Sequence, residues 1–327
     1  MLHLNQESTY PRLLGDIGGT NARFAWQSAA GAPLSDVATY PCAAYPTVLD
    51  AVGEYLRAHG KPAPRWSAVG IANPITGDRV QMTNHNWSFS ISDVRDRLGL
   101  ERFLLINDFT ALALSLPALS ADELRQVGGG APVPHAAVAL LGPGTGLGVS
   151  GLVHSADGKL SVPLNGEGGH VTLGGTSARE DAVIAVLRER FGHASAERAL
   201  SGPGLVNLYE ALCTLDGAAS APMTAAAVTA AAASGADARA VEAEGLFFSL
   251  LGTVAGNLAL SLGARGGVYI GGGIVPRLGA RIDASAFRSR FEQKGRFQAY
   301  LAAIPVFVVT AEVSPALVGA ARALDVL

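Results

Sequence analysis

The stretch Arg12–Gln27, RLLGDIGGTNARFAWQ, decides the fold. Arg12–Ile17 is an apolar run that reads as a buried strand. Gly18-Gly19-Thr20 reads as a tight turn and Asn21–Gln27 as the returning strand. The same form recurs further along the chain. Ala136–Leu141 is an apolar strand, Gly142-Pro143-Gly144-Thr145-Gly146 a glycine loop with a threonine, and Leu147–His154 a second strand. Two hairpins of one form in two halves of the chain imply a duplicated architecture of two facing domains.

Outward from the first hairpin, Val48–His59 has the apolar face of a helix and is followed by the break KPAPRW. Ser67–Ala72 reads as a short strand ending at Asn73-Pro74, and Ile91–Leu98 as a helix with Ser90 at its N-cap. Phe103–Ile106 is a buried strand that runs into Asn107-Asp108, and Phe109–Leu116 a helix that stops before Pro117. Beyond the second hairpin, helices dominate: Glu180–Phe191, Gly204–Leu215, Met223–Ala233 and Val241–Leu262. Val268–Ile270 is a strand leading into Gly271-Gly272-Gly273, Ile304–Thr310 the last strand, and Ala316–Leu324 a closing helix. Strands alternating with helices make this an α/β protein. The segment Ala218–Ala240, nearly all small residues, reads as a solvent-side helical excursion.

Composition excludes several classes of function. The 327 residues suffice for about two domains and a large core, so no disulfide or metal staple is needed. With 24 basic against 27 acidic residues, the formal charge of −3 argues against a nucleic-acid partner or a polybasic membrane surface. Charged residues make up 16% and hydrophobic residues 49%, which is not the composition of a disordered chain. Cys42 and Cys213 form no CxxC pair and no Cys/His cluster, so neither a zinc site nor a disulfide framework is expected. The opening MLHLNQESTYPR has no apolar core of a leader, so a cytoplasmic address is expected. Gly245–Ala264 is uncharged over a span-like length. It nevertheless carries Ser249, Thr253, Asn257 and Ser261 at four-residue steps, the polar stripe of a buried central helix and not of a membrane span. Forty glycines exceed the average of about 7%, and that excess needs an explanation.

The glycines cluster in loops. The Walker pattern is absent, and Gly146-Leu147-Gly148-Val149-Ser150-Gly151, which matches GxGxxG, leads into a strand where a dinucleotide fingerprint must open a helix. The alternative is a loop whose successive amides face a phosphate, with a threonine hydroxyl added. Asp16 stands at a strand end beside the first such loop, where a carboxylate serves Mg²⁺ directly or through water. Either loop alone reads as an ordinary hairpin turn. Two of one form, with Gly271-Gly272-Gly273 as a third cluster, point to nucleotide binding.

Polar residues supply a second set of candidates. Asn107-Asp108 sits at the C-terminal end of a strand, where α/β folds place ligands and where an aspartate can accept a proton from a substrate hydroxyl. Taken alone, the pair reads as a helix N-cap. Glu167-Gly168-Gly169-His170 lies in a loop and matches no zinc motif, while Glu197 lies in HASAERALSGPG. Spacing alone connects none of these three segments.

The segments GDIGGTNARF, ANPITGD, MTNHNWSFS, INDFTALA, GTGLGV, GEGGH, SAERALSGPGLVNLY, GNLALSLG, GGVYIGGGIVPR and FEQKGRF occur in this order over nearly the whole chain. In them the chain closely resembles the bacterial glucokinases distinct from the ROK family, members of the actin-like, hexokinase and chaperone ATPase superfamily. The resemblance implies a two-domain actin-like (ribonuclease H-like) ATPase fold with a cleft between a smaller and a larger domain. It implies a small domain of residues 1–118 joined by the C-terminal helix 311–327, and a large domain of 119–310 with helical insertions. It implies transfer of the γ-phosphoryl of MgATP to the 6-hydroxyl of glucose, by a homodimer that needs no zinc. Asp16, Gly18, Gly19 and Thr20 resemble the first phosphate motif, with Asp16 serving Mg²⁺. Gly142, Gly144, Thr145 and Gly146 resemble the second, and Gly271, Gly272 and Gly273 the adenosine motif. Asn107, Asp108, Glu167, His170 and Glu197 resemble the glucose ligands, with Asp108 as the catalytic base. Pro143 stands where relatives often have alanine and Asn165 where they often have proline; neither removes a chemical group. A kinase for another hexose and a non-catalytic sugar and ATP sensor are the alternatives.

Overall fold

The first hairpin forms as expected: β1 (Arg12–Ile17) and β2 (Asn21–Gln27) pair antiparallel, with Asp16 directly opposite Arg23. The computed structural model describes residues 9–83, 85–219, 222–311 and 314–326; the leader reading of the opening residues therefore falls mostly outside the described residues. By its internal contacts the chain divides into two units. One comprises Met1–Ser120, Leu160–Asn165 and Ala311–Leu327, the other Ala121–Lys159 and Gly166–Thr310.

In the first unit the chain continues through β3 (Ser35–Pro41), α1 (Val48–Ala58), β4 (Trp66–Ile71), a small ribbon of β5 (Arg79–Gln81) and β6 (Ser88–Ser90), α2 (Ile91–Arg97), β7 (Arg102–Asn107) and α3 (Asp108–Ser115). The main sheet runs β3-β2-β1-β4-β7, with β4 parallel to both β1 and β7. Strand β3 and the ribbon had no counterpart in the sequence reading. Strand β3 is an edge strand with no buried residue, and three-residue strands are too short to show a period. Thr47 and Asp50 form a reciprocal capping box on α1, and Ser90 accepts the Asp93 N–H on α2. Alternation along β1 and β2 sends Leu13, Ile17 and Phe24 into a core with Val48, Val52 and Tyr55 of α1.

The second unit begins with β8 (Leu124–Gln126), β9 (Val138–Pro143) and β10 (Leu147–His154), and its loop after β10 leads through β11 (Ser161–Pro163), which groups with the first unit. Gly142 and Pro143 are not loop residues, as the sequence suggested: they pair with Gly148 and Leu147, and the turn itself is Gly144–Gly146, closed by Gly144 N–H on the Gly146 carbonyl at 2.8 Å. Four helices follow, α4 (Ala178–Phe191), α5 (Gly202–Leu215), α6 (Ala225–Ser234) and α7 (Ala238–Leu262). Then come β12 (Val268–Ile270), α8 (Ile274–Leu278), α9 (Phe287–Glu292), α10 (Gln298–Ala302) and β13 (Val306–Val309). Within the second unit the strands run β10-β9-β12-β13-β8, with β12 parallel to β9 and β13. This repeats the first sheet: an antiparallel hairpin followed by two parallel strands on the side of its first strand. Helix α6 exposes about half of its residues and packs on the core through Val228, Ala231 and Ala232, so the solvent-side reading of the alanine-rich segment holds for its outer face; 220–221 lie outside the described residues.

Among the described residues α7 is the one helix long and apolar enough to cross a membrane. It packs instead into the core of its unit through Phe247, Phe248, Leu250, Leu251 and Ala255. Its polar stripe is occupied by cations: Arg290 donates to Thr253 Oγ1 at 3.0 Å and Lys294 to Asn257 Oδ1 at 2.7 Å. Arg290 also forks onto Glu180 of α4, at 2.7 and 3.0 Å, where the Thr176 N–H adds a third bond at 2.7 Å.

Finally α11 (Pro315–Val326) returns to the first unit. Leu317, Ala320 and Leu324 cover Leu14, Ala25 and Ala68 on the sheet face opposite α1. Arg12, only 2% exposed, is held there by Asp325 at 2.9 Å and Thr9 at 2.8 Å. Gly319 lies so close to the Ala111 carbonyl of α3 that any Cβ would overlap it.

Glu180 is 3% exposed. Burial pushes its carboxyl up, but the Arg290 fork and the Thr176 N–H outweigh burial and hold it below the ordinary glutamate value. Glu180→Gln strands a buried guanidinium and should cost about 3–5 kcal/mol at neutral pH, measured as a lowered urea midpoint. Because a lowered carboxyl contributes stability above its unfolded value and loses it as pH falls through the folded one, the gap between parent and variant should close on acidification.

Candidate functional site

Parallel register builds the first part of the site. Ile17 of β1 faces Ile71 of β4, and Ile71 faces Asn107 of β7, so three parallel strands end in one row. Asp16 lies at one end of that row and Asn107-Asp108 at the other, two strand spacings or about 10 Å across. Asn107 does serve as an N-cap: its Oδ1 accepts the Phe109 N–H at 2.9 Å and the Thr110 N–H at 3.3 Å. The cap uses only that oxygen and leaves the amide nitrogen as a donor. Asp108 opens α3, and its Oδ1 also accepts from the Phe109 N–H at 2.9 Å. The helix reaches this position because Gly70 of β4 has no side chain: a Cβ there would stand 3.1 Å from Ala111 Cβ and 3.5 Å from Asp108 Cα.

The first glycine loop is tied at both ends. Gly18 N–H donates to Asn21 O at 2.9 Å, and Thr20 O accepts the Cys42 N–H at 2.8 Å. Thr20 itself is exposed. Asp16 is 14% exposed, and its Oδ2 accepts from Ser314 Oγ at 2.6 Å and Arg23 at 3.2 Å. The described residues contain no cluster of three or more His, Cys, Asp or Glu side chains. One partly open carboxylate fits Mg²⁺, which keeps several waters and is held by one or two carboxylates together with substrate phosphates.

The second unit gathers the other candidates. Thr145 is exposed at the tip of the β9–β10 turn, and a Cβ added at Gly144 would meet open space. Gly271 N–H donates to Leu141 O at 2.9 Å, which brings the third glycine cluster onto β9. Gly272 has φ +75°, and its α-carbon backs onto the Pro143 carbonyl, so both its conformation and its surroundings require glycine. The Gly142–Gly146 and Gly271–Gly273 segments therefore lie directly against one another.

Glu167 precedes a 3₁₀ turn, Gly168–His170, that packs on β10: a Cβ at Gly169 would overlap the Leu147 carbonyl, and one at Gly168 would overlap Val149. Glu197 lies in a second 3₁₀ turn, Ala196–Arg198, and is half-buried. Its Oε2 accepts the Leu147 N–H at 2.9 Å and occupies the space a Gly146 side chain would need. Backbone bonds from Ala196 N–H to Val171 O and from Leu173 N–H to Ala194 O, both 2.9 Å, set the two turns side by side. Glu167, His170 and Glu197 thus come together beside the second glycine loop. Asp16, Gly18, Gly19, Thr20, Asn107 and Asp108 come together in the first unit.

Sequence reasoning missed Arg23, Ser314 and Gly70. The hairpin register could have found Arg23, since it faces Asp16 across the turn. Ser314 lies 298 residues from its partner and no local pattern marks it. Asn165, noted as a departure, accepts a hydrogen bond from Thr110 Oγ1 of α3 at 2.9 Å.

The family model Glucokinase matches residues 13–326. A glucokinase of Aromatoleum aromaticum is 57% identical over 318 residues, 97% of this chain and 95% of that protein. A glucokinase of Chromobacterium violaceum is 56% identical over 96% of this chain and 89% of its own. Among solved structures, a glucokinase from an Antarctic psychrotroph is 35% identical with a TM-score of 0.86, covering 96% of this chain and 98% of that one.

Two substitutions test the local packing. Gly169→Ala drives a methyl into a backbone carbonyl and should cost about 1–3 kcal/mol in thermal unfolding. Gly144→Ala enters open space and should stay within about 0.5 kcal/mol of the parent.

Proposed function

Because the chain belongs to the glucokinase family and is a kinase that phosphorylates glucose with ATP, we propose the following division of labour among its residues. Asp108 is the catalytic base: it orients the 6-hydroxyl of glucose and takes its proton as the bond to phosphorus forms. Asn107 donates from its free amide end, and Glu167, His170 and Glu197 hold the remaining hydroxyls. The observation that carries this reading is the placement of Asp108 at the C-terminal end of a parallel strand, fixed by its own helix and by Gly70, in a chain whose relatives are glucokinases.

Gly18, Gly19 and Thr20, with Gly142, Gly144, Thr145 and Gly146, line the phosphates; the Gly18 and Gly144 N–H groups close their own turns, so the donors are the remaining loop amides and the two threonine hydroxyls, and Gly271, Gly272 and Gly273 border the adenosine. The open space over Gly144 supports a ligand-facing role for that loop. Mg²⁺, when bound with ATP, neutralises charge on the transferring phosphates; Asp16 would hold it, directly or through water. Ser314 and Arg23 fix the Asp16 carboxylate for that task and leave its second oxygen to the ion's hydration shell.

The fold reading that accompanies this is the two-domain actin-like ATPase, with a small domain of 1–118 joined by 311–327 and a large domain of 119–310. Its support is the sheet pattern repeated in each unit. Cytoplasmic residence is supported by two cysteines that are both free and buried. The homodimer rests on the family resemblance.

Asp108→Asn should keep the thermal stability and the glucose affinity of the parent while kcat falls by about 10²–10⁴, read by release of ADP in a coupled assay. Near-normal turnover would remove Asp108 from the role of base. Glu167→Gln should weaken glucose binding more than nucleotide binding in calorimetric titrations, and equal losses for both ligands would count against its sugar-side role.

A further inference from the structure

The turn that carries Glu197 does more than present a carboxylate. Two hydrogen bonds fasten it across the second glycine loop. At one end Glu197 Oε2 accepts the Leu147 N–H at 2.9 Å. At the other the Gly202 N–H donates to the Gly144 carbonyl at 2.8 Å. Between them Ser201 Oγ donates to the Glu197 carbonyl at 2.8 Å and accepts the Gly204 N–H at 2.9 Å, which makes Glu197–Gly204 an internally braced arch. Ser201 is 2% exposed, so this brace is shielded from water. The loop residues Gly144–Leu147 therefore hang from the arch at both ends. The Leu147 peptide is held on its other side too, because its carbonyl rests against Gly169 of the Glu167–His170 turn.

The geometry points to Gly202 as a positioning residue for the nucleotide loop, through an arch that makes sugar capture at Glu197 and the loop conformation a single event. This rests on the sugar-side role proposed for Glu197. One carboxylate oxygen is committed to Leu147, and the other is available to a sugar hydroxyl. A sugar that orders Glu197 orders the acceptor of the Leu147 N–H and, through Ser201, the donor at Gly202. Each ligand then binds a loop that the other has already arranged, and coupling of this kind is reciprocal.

Gly202 permits a clean test because it is the first residue of α5. Proline is favoured at that position, where the N–H is not needed by the helix, and Ser201 already has the extended φ −155°, ψ 177° that precedes a proline. Gly202→Pro removes the donor to Gly144, and since Pro203 follows, it also places a Cβ before a proline. Gly202→Ala keeps the donor and places a Cβ before Pro203 just as the proline variant does, 3.6 Å from the Gly144 carbonyl, so it is the control for that crowding.

Calorimetry of the full chain with the non-hydrolysable β,γ-imido analogue of ATP and Mg²⁺, with and without saturating glucose, gives the coupling factor. Parent and Gly202→Ala should bind the analogue about 5–150-fold more tightly with glucose present, and Gly202→Pro should fall to about 1–2-fold with its glucose affinity kept. Should Gly202→Pro fail to fold, Ser201→Ala, which removes the brace, should lower the factor in its place. Equal factors in Gly202→Pro and Gly202→Ala, a full factor in Ser201→Ala, or no coupling in the parent would each overturn the inference. Glu197→Gln separates this from the reading beneath it: unchanged glucose affinity in that variant removes the sugar-side role itself, whereas weakened affinity with coupling intact in Gly202→Pro removes only the arch.

Discussion

Backbone packed directly against backbone is the constraint on which both units depend. In the first unit α3 lies against β4 at Gly70 and against α11 at Gly319, where a Cβ would overlap the Ala111 carbonyl. In the second, the Glu167–His170 turn rests on the Leu147 carbonyl at Gly169, and the third glycine cluster rests on Pro143 at Gly272. Contacts this close hold loops in place without side chains between them. Part of the glycine excess is therefore structural, spent where one backbone segment packs on another.

Much of this was legible in local sequence. Both hairpins, α1, α2, α3 and the long α7 announce themselves by apolar period, capping residues and glycine or proline stops, because those signals act within a few residues. Strand β3 was not legible, since an edge strand without a buried face has no alternation to show. The site divides the same way. Asp16 and Asn107-Asp108 stand at strand ends that the pattern already locates, but their alignment depends on the β1-β4-β7 register, which is a property of the sheet. The Asp16–Ser314 bond and the placement of Glu197 beneath the second loop join segments far apart in the chain, and no periodicity encodes such pairings. Only resemblance to a family could link Glu167, His170 and Glu197 beforehand.

Asn107 shows why a plain reading and a functional one need not compete. Its cap on α3 consumes the side-chain oxygen and fixes the side chain in one orientation. A group so fixed is better suited to meet a ligand than a freely rotating amide, because less rotamer freedom is lost on binding. Glu197 follows the same logic, with one oxygen on Leu147 and one free. In both cases the structural hydrogen bond fixes the orientation in which the remaining polar atom is held.

The long helix α7 extends the argument from the loops to the core. By composition it would suit a membrane, yet its polar stripe meets Arg290 and Lys294 in the same unit. Lys294 is itself pushed below its ordinary value, chiefly by burial and further by Arg290. Such cations are tolerated because Glu180 balances Arg290 and because the stripe offers Thr253 and Asn257 as acceptors. An apolar helix studded with hydroxyls and amides at four-residue steps therefore anticipates buried charge on its neighbours. It is this satisfied polar seam, more than mean hydropathy, that distinguishes a core helix of this kind from one that faces lipid.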